Sequence, residues 1–220
     1  ENIGCREEAR KCGHDTLRMH IAVRLDGGTG GVSRGRHWMM FDHDTLRVAA
    51  AWSGEGFIDW NGINFNGKHQ VHPRVVGQVH FANPTGPGWA NPATGRFDDP
   101  RLRGRDSRPY GPLPREWAHY KGLYHFGNQV ILAYTVGQAE ILEMPSYELG
   151  LGEQEAASQE NAVFVRTLNI GPSPHDLLLK VASRGTATVV VGDTESRLVE
   201  RDGFTVLSIP AASTRRKLKV

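Results

Sequence analysis

Alternation of apolar and polar residues along many short segments is the feature that most limits how this chain can fold. From Leu17 to Leu25 the odd positions are apolar, and the even positions are mostly Arg or His. Side chains of a β-strand point to opposite faces in turn, so this pattern predicts a strand with one buried face. Similar runs around short connections predict three hairpins: 37–41 with 46–52, 57–60 with 63–65, and 120–124 with 130–136.

The remaining apolar runs extend the same pattern to most of the chain. Further strands are predicted at 75–81, 139–144, 163–170, 177–182, 186–191 and 204–209, with Pro145 ending one of them. The only predicted helix is Arg6 to Lys11, and 153–160 is expected to be a surface loop. Short connections favour antiparallel neighbours. The predicted fold class is all-β: an antiparallel, β-sandwich-like fold, large for a sandwich, with one long Gly/Pro-rich loop and little helix.

The length of 220 residues suits one domain of this class. We expect residues 1–20 to be an N-terminal extension and residues 21–220 to be a single β-rich domain. The chain begins at Glu1 and ends on a basic, strand-like run from Arg215 to Val220, so it is expected to be a fragment of a longer polypeptide. Cys5 and Cys12 are equally compatible with a disulfide and with free thiols.

The charge composition disfavours two classes of partner. Lys and Arg total 26 against 24 Asp and Glu, which gives a net charge of +2 and no strong field for nucleic acid. No apolar run approaches the roughly 18 residues that a membrane-spanning helix needs. The sequence therefore predicts neither a nucleic-acid partner nor a membrane span.

The stretch 82–114 contains too many Gly and Pro residues for a helix or a central strand. Loops of this length in compact domains are usually functional or disordered. Trp89 lies between Gly88 and Ala90 and is predicted to be open to a sugar ring, whereas Trp52 and Trp60 are predicted to be core. Four polar neighbours are the other predicted ligand-binding residues: Asp99, Arg101, Arg105 and Tyr110. The interpretation that the sequence favours for the charged residues is that Arg-carboxylate pairs pin the loop internally, because a loop without ladder hydrogen bonds must satisfy its backbone and charges.

Catalytic candidates come from carboxylates and imidazoles in predicted turns and loops. Asp42 and His43 are placed at a hairpin tip, where they would be available for acid and base steps. Asp is also favoured in turns because its side chain accepts local backbone hydrogen bonds, and a purely structural role is the interpretation that the sequence favours. The other candidates are Asp59, Asp98 and His119.

The histidines give only a weak metal signal. His69 and His72, together with His80, would supply imidazole ligands if a turn brought them together, but residues three apart on a strand face opposite sides. We predict no metal site. Cys12-Gly13-His14 lacks the second cysteine of a haem-attachment sequence, so no cofactor is predicted within this chain.

Five runs carry a family resemblance: RHWMMFDHDTLRVAAAW at 36–52, GFIDWNGINF at 56–65, ANPTGPGWA at 82–90, GPLPREWAHYKGLY at 111–124 and FVRTLNI at 164–170. From about Ile21 to the C-terminus, the chain resembles an uncharacterised bacterial family, a domain of unknown function. That family occurs in large exported proteins that often carry a c-type cytochrome domain. The resemblance implies a periplasmic or cell-surface location, with haem only in neighbouring domains of a longer polypeptide.

These observations predict a ligand-binding or structural β module, with other domains of the same polypeptide and carbohydrate as expected partners. One alternative is a carbohydrate-active enzyme that uses the loop carboxylates and histidines. The other is a metal-supported accessory to electron transfer, suggested by the ten histidines and the cytochrome association.

Overall fold

The computed structural model describes residues 20–61, 73–105, 107–149 and 162–220. Within these ranges the chain forms fourteen strands, a short 3-10 helix at Val32–Arg34 and no α-helix. The strands are β1 His20–Arg24, β2 His37–Asp42, β3 Arg47–Ser53, β4 Ile58–Asp59, β5 Arg74–Val75, β6 Gln78–Ala82, β7 Ala118–Phe126, β8 Gln129–Val136, β9 Ala139–Leu149, β10 Ala162–Ile170, β11 Leu177–Ser183, β12 Arg197–Arg201, β13 Phe204–Ile209 and β14 Arg216–Lys219. The predicted all-β class is confirmed.

Three antiparallel sheets form the body of the molecule. Sheet I has the strand order β1-β2-β3-β6, sheet II has β14-β10-β9-β8-β7, and sheet III has β11-β13-β12, with β4 and β5 as a separate ribbon. Strands β7 to β10 form a meander, and the short β7–β8 and β8–β9 connections predicted its first three strands. β14 returns to pair with β10, from Thr167↔Lys219 to Ile170↔Arg216.

Residues 83–90, the linking segment, connect sheet I to sheet III. The Asn83 amide nitrogen Nδ2 donates to the carbonyl oxygens of Val48 in β3 and Val181 in β11. Farther along, the backbone of Gly88 and Ala90 bonds to Lys180 and Leu178 of β11. Buried backbone groups need hydrogen-bond partners. These bonds supply them, and they hold the linking segment between the two sheets although it forms no regular strand.

One apolar core lies between sheet II on one side and sheets I and III on the other. It combines Met39, Phe41 and Val48 of sheet I with Leu132, Ile141 and Leu168 of sheet II, and with Leu179 and Leu207 of sheet III. Trp89 and Leu113, from the long loop, belong to the same cluster. The alternating faces of the strands thus meet as a β-sandwich-like structure.

The two central strands of sheet I, β2 and β3, are buried on both faces. Met39 and Phe41 of β2 face the main core, whereas Trp38 and Met40 face a second cluster with Ala49 and Trp52. The Trp38 and Trp52 rings stack at 5.6 Å, and Phe57 packs against the same cluster. Every residue of β2 is buried, so its sequence is a nearly continuous apolar run.

A charged pair lies in the interior of sheet II. Arg166 Nε donates to Glu143 Oε1 at 2.6 Å, and Tyr134 donates its hydroxyl to Glu143 Oε2 at 2.6 Å. Burial lowers the pKa of Arg166, but Glu143 outweighs it and the pKa is raised. Burial and Glu143 raise the pKa of Tyr134 well above its ordinary value. Arg166 and Tyr134 therefore stay protonated and bound to the carboxylate.

Several strand predictions need correction. Pro145 does not end β9, which continues to Leu149. β8 pairs with β9 only as far as Glu143, so at Pro145 there is no β8 residue to which a backbone N–H would have to donate. Residues 186–191 form no strand; only Val191 makes a bridge, to Lys219. The strand Arg197–Arg201 was not predicted, since it is an edge strand with few apolar residues. The predicted run 75–81 divides into β5 and β6.

Other predictions fall outside the described residues: the helix at 6–11, Cys5 and Cys12, positions 17–19 of the first strand, the strand at 63–65 and the loop at 153–160. The described member of that second hairpin, β4, pairs with β5. In the described part of the chain, no helix has the length and apolarity needed to cross a bilayer.

Candidate functional site

A cleft of about 420 Å³ opens between the β2–β3 turn and the long loop. We call it the Tyr110 cleft. Its volume lies within the roughly 300–1,000 Å³ typical of small-ligand sites. Its lining residues are His20, Asp42, Asp44, Arg47, Thr85, Arg101, Arg108, Pro109, Tyr110, Gly111 and Pro112.

Asp42 is a fixed, buried part of the cleft floor. Its Oδ1 accepts from the backbone nitrogens of Asp44 and Thr45, at 3.0 and 3.4 Å. Its Oδ2 accepts from Thr45 Oγ1 at 2.6 Å and from Arg47 Nε at 3.2 Å. The same residue therefore closes the hairpin turn and anchors Arg47, which is the structural role of Asp in turns.

The two carboxylates of the turn have opposite pKa shifts. Burial raises the pKa of Asp42, but Arg47, Thr45 and His20 outweigh it and hold the pKa below its ordinary value. Burial, with Asp42 nearby, raises the pKa of Asp44 despite the opposing effects of His43 and Arg101. Asp42 stays ionised, and Asp44 is the carboxyl group of the cleft that takes up a proton first as the pH falls.

Arg101, from the long loop, also lines the cleft and is held by Asp99. Its Nε donates to Asp99 Oδ1 at 2.9 Å, and its Nη2 donates to Asp99 Oδ2 at 2.8 Å. Its remaining nitrogen, Nη1, donates to the carbonyl oxygen of Gly111 at 3.1 Å. This bidentate pair fixes the guanidinium plane. It is also the internal pinning that the sequence favoured for the charged residues.

Residues 102–105 and 107–110 form the rim of the cleft as the two arms of a small hairpin, the rim hairpin. Arg103 and Pro109 make an antiparallel bridge, and Tyr110 N donates to the Leu102 carbonyl at 3.0 Å. The Arg103 side chain donates to the Ser107 carbonyl at 2.8 Å. Tyr110, at the end of the hairpin, is 46% exposed and lines the cleft.

The cleft contains three of the predicted site residues, Asp42, Arg101 and Tyr110, with Asp99 directly behind Arg101. The predicted Arg105 is an exposed residue of the rim hairpin. His43 is adjacent but does not line the cleft; its Nδ1 lies 3.2 Å from Asp44 Oδ1, and its ring packs on Tyr120.

The other catalytic candidates lie elsewhere. Asp98 is exposed and pairs with Arg96. Asp59, in β4, accepts from the backbone nitrogen of Asn61. His119 lies in β7, away from the cleft lining. The five candidates therefore do not converge on one pocket.

The predicted exposures of Trp89 and Trp60 are reversed. Trp89 is fully buried in the main core, where its backbone carbonyl accepts from Trp117 Nε1 at 3.2 Å. Trp60 is 52% exposed at the end of β4, whereas Trp52 is buried as predicted. The neighbouring Gly88 and Ala90 suggested an exposed position for Trp89. Gly88 instead lets the linking segment pack closely against the backbone at Leu46 and Arg47. No ring face of Trp89 is open to a sugar.

His80 takes part in a different polar cluster, between sheets I and II. Its Nε2 lies 2.9 Å from Ser53 Oγ, and His37 Nδ1 lies 2.8 Å from the same oxygen. The His37 ring stacks on Tyr147 of β9 at 4.2 Å. His69 and His72 lie outside the described residues. Among the described residues, no group of three or more His, Cys, Asp or Glu side chains is arranged to hold a metal ion.

Sequence reasoning missed several cleft residues. His20 and Arg47 were interpreted only as strand residues, and Thr85, Pro109 and Pro112 as loop residues. One signal was present for Arg47: a charged residue inside the apolar run 46–52 needs a buried partner, and the nearby Asp42 supplies it.

The cleft also coincides with the part of the chain that has a family match. A DUF6797 domain of unknown function is found at residues 39–143. The DUF6797 region begins in β2, ends in β9 and contains every residue of the cleft lining except His20. It is narrower than the stretch from Ile21 to the C-terminus over which the sequence resemblance was expected. Comparisons with curated proteins and with solved structures give no match.

Proposed function

We propose that this domain is a non-catalytic binding module and that it holds a carbohydrate in the Tyr110 cleft. The observation that carries the proposal is the convergence of an exposed aromatic ring with fixed carboxylate and guanidinium groups in one cleft. Sugar rings present apolar faces that pack on aromatic side chains. Their hydroxyl groups both donate and accept hydrogen bonds, which suits a wall that combines Asp and Arg.

The arrangement of the polar groups favours binding over catalysis. Asp42 accepts from Arg47, Thr45 and Asp44, so its carboxylate is already engaged in the fold. The candidates that would complete an acid and base pair, Asp59, Asp98 and His119, do not line the cleft. A preformed wall lowers the cost of ordering side chains when a ligand binds.

We further propose the setting that the resemblance implies: an exported, multidomain bacterial protein in which other domains carry haem or act on carbohydrate. In that setting the module would hold a glycan near those domains. Fractionation of cells that produce the intact polypeptide tests the location, and a cytoplasmic protein would contradict it.

Binding to an oligosaccharide array, followed by calorimetry on the best glycan, tests the proposed function. Tyr110→Ala should weaken binding about tenfold, since burial of an aromatic face contributes on the order of 1–2 kcal/mol. Tyr124→Ala is the matched control, because Tyr124 is 64% exposed in β7 and does not line the cleft. An array without any bound glycan, or equal affinities for Tyr110→Ala and the wild type, would refute the proposal.

A further inference from the structure

The C-terminal end of β7 exposes large apolar side chains at an edge of sheet II. Leu123, Tyr124 and Phe126 are 45%, 64% and 79% exposed. Among the strands that the structure describes, only β8 pairs with β7. An uncovered edge offers its backbone N–H and C=O groups to another strand, and proteins usually protect such edges with charged side chains. β12, an edge strand of sheet III, has three charged residues among its five, whereas residues 123–126 of β7 include no Lys, Arg, Asp or Glu.

The side chains at this end of β7 lie on defined faces of sheet II. Leu123 stands opposite Leu132 of β8, which is buried in the main core, so Leu123 is on the inner face. Gly122, Tyr124 and Phe126 alternate with it and lie on the outer face. A Cβ atom at Gly122 would meet nothing within 4 Å. The outer face therefore presents two exposed rings beside an open space at Gly122.

This arrangement is complementary to itself. When two copies pair their β7 strands antiparallel about a two-fold axis at Tyr124, Gly122 lies opposite Phe126 of the partner subunit. Side chains directly opposite each other are about 4.5–5.5 Å apart, so the ring fits the open space at the glycine. Aromatic rings that cover an edge glycine help to stabilise a sheet. Lys121 lies opposite Gly127 of the partner subunit, and this register therefore places no like charges directly opposite each other.

We propose that the β7 edge binds a second copy of this chain, with Gly122 to Phe126 of the two copies paired about a two-fold axis and the two copies of sheet II joined into one sheet. A second copy is the occupant that this surface fits, because the exposed ring and the space that receives it lie on one strand, at equal distances from Tyr124. The inference is independent of the proposed carbohydrate function. The lining residues of the Tyr110 cleft include none from β7, so glycan affinity should not depend on this association.

The size of the contact predicts a weak, concentration-dependent dimer. An aromatic side chain buries about 150–250 Å², so the four rings of the pair bury at most about 1,000 Å². A standard stable interface buries roughly 1,200–2,000 Å². Backbone hydrogen bonds between the two strands add specificity to this small area, and association should become visible only as the protein concentration rises.

Sedimentation equilibrium of the 220-residue chain tests the proposal. The mean mass of the wild type should rise from that of one copy toward that of two as the concentration increases from micromolar to near-millimolar. Tyr124→Lys and Tyr124→Glu each place two like charges opposite each other at the axis, which destabilises a strand pair. Each variant alone should raise the dimer dissociation constant at least about tenfold.

An equimolar mixture of Tyr124→Lys and Tyr124→Glu tests the two-fold register itself. Opposite charges then face each other at the axis, so the mixture should associate severalfold more tightly than either variant alone, and this gain should shrink at high salt. Val189→Lys and Val189→Glu are the matched controls, because Val189 is 65% exposed and lies outside the strands. Each should dimerise like the wild type, and mixing them should change nothing.

Thermal unfolding of each variant verifies that it is folded. Phe126→Thr removes the ring that packs on Gly122 of the partner subunit and keeps a residue suited to a strand. It should also weaken association about tenfold, and it keeps the test available if the charged variants are unstable.

Two results would overturn the proposal. A wild-type chain that remains monomeric at near-millimolar concentration would show that a second copy does not bind this edge. A wild-type dimer that Tyr124→Lys leaves equally tight, or a charge mixture that recovers no association, would place the contact between copies on a different surface.

Discussion

Two histidines, His37 and His80, share one buried hydroxyl group, that of Ser53. Burial lowers the pKa of His37, an effect that Asp26 opposes and Arg36 reinforces. Burial and the nearby His37 lower the pKa of His80. A hydroxyl donates one hydrogen bond and accepts two, so Ser53 Oγ can satisfy both rings while they are neutral. Two protonated rings beside one buried hydroxyl would repel each other.

We predict that the free energy of unfolding decreases as the pH falls below about 6.5, the ordinary pKa of histidine. The folded-state pKa values of His37 and His80 are lowered, so the unfolded chain binds protons first and stability is lost with falling pH. Each proton contributes a slope of at most roughly 1.4 kcal/mol per pH unit. Urea unfolding between pH 8 and pH 5 measures the slope.

The double variant His37→Asn/His80→Gln places amide groups near the two ring nitrogens that contact Ser53. It should flatten the slope between pH 7.5 and pH 5, above the range in which the carboxylates titrate. His175→Gln, at an exposed position, should keep the wild-type slope. An unchanged slope in the double variant would show that these histidines do not cause the acid response.

At the scale of elements, the linking segment holds the loop against two sheets. Gly88 N donates to the Thr45 carbonyl, and its own carbonyl accepts from Lys180 N. A Cβ atom at position 88 would lie 2.6 Å from Arg47 Cα and even closer to the Leu46 carbonyl oxygen. The backbone at position 88 therefore lies too close to the backbone of Leu46 and Arg47 for any residue other than glycine.

We predict that Gly88→Ala destabilises the protein by roughly 1–3 kcal/mol or more, because an extra methyl group in a closely packed site forces the backbone apart. The midpoint of urea unfolding measures the change. Gly31→Ala is the matched control, since a Cβ atom there meets nothing within 4 Å, and it should change stability by less than about 0.5 kcal/mol. Equal stability of the two variants would contradict the steric explanation.

Elements with strong alternation could be predicted from sequence, and those set by distant contacts could not. β2, β3, β10 and β13 follow their apolar patterns. The continuation of β9 through Pro145 depends on where its neighbour β8 stops pairing, which no local pattern encodes. Asp42 and Tyr110 were identified as site residues, but their meeting in one cleft depends on how the loop folds back over the β2–β3 turn.

At the scale of the whole molecule, one core connects all three sheets. Trp89 lies at their junction, with its ring 6.3 Å from Tyr134 of sheet II and its backbone bridged to Leu179 of sheet III. If one sheet unfolded, apolar side chains of the other two sheets would become exposed to water. Such shared burial favours cooperative unfolding.

We predict a single unfolding transition, with coincident curves from tryptophan fluorescence and far-UV circular dichroism. Trp89→Ala should lower the free energy of unfolding by roughly 3–5 kcal/mol, because it leaves a large cavity in the shared core. Trp60→Ala, which removes a 52% exposed ring, should have little effect. Two separated transitions would mean that the sheets are stabilised independently.

The attachment of the long loop has a kinetic consequence. Asn83 fixes its beginning to β3 and β11, and near its end Leu113 N donates to the Asp44 carbonyl at 2.9 Å. With both ends tethered and Arg101 bound to Asp99, the walls of the Tyr110 cleft are preformed. If the proposed carbohydrate binds there, association should proceed in one concentration-dependent step, without a slow rearrangement afterwards.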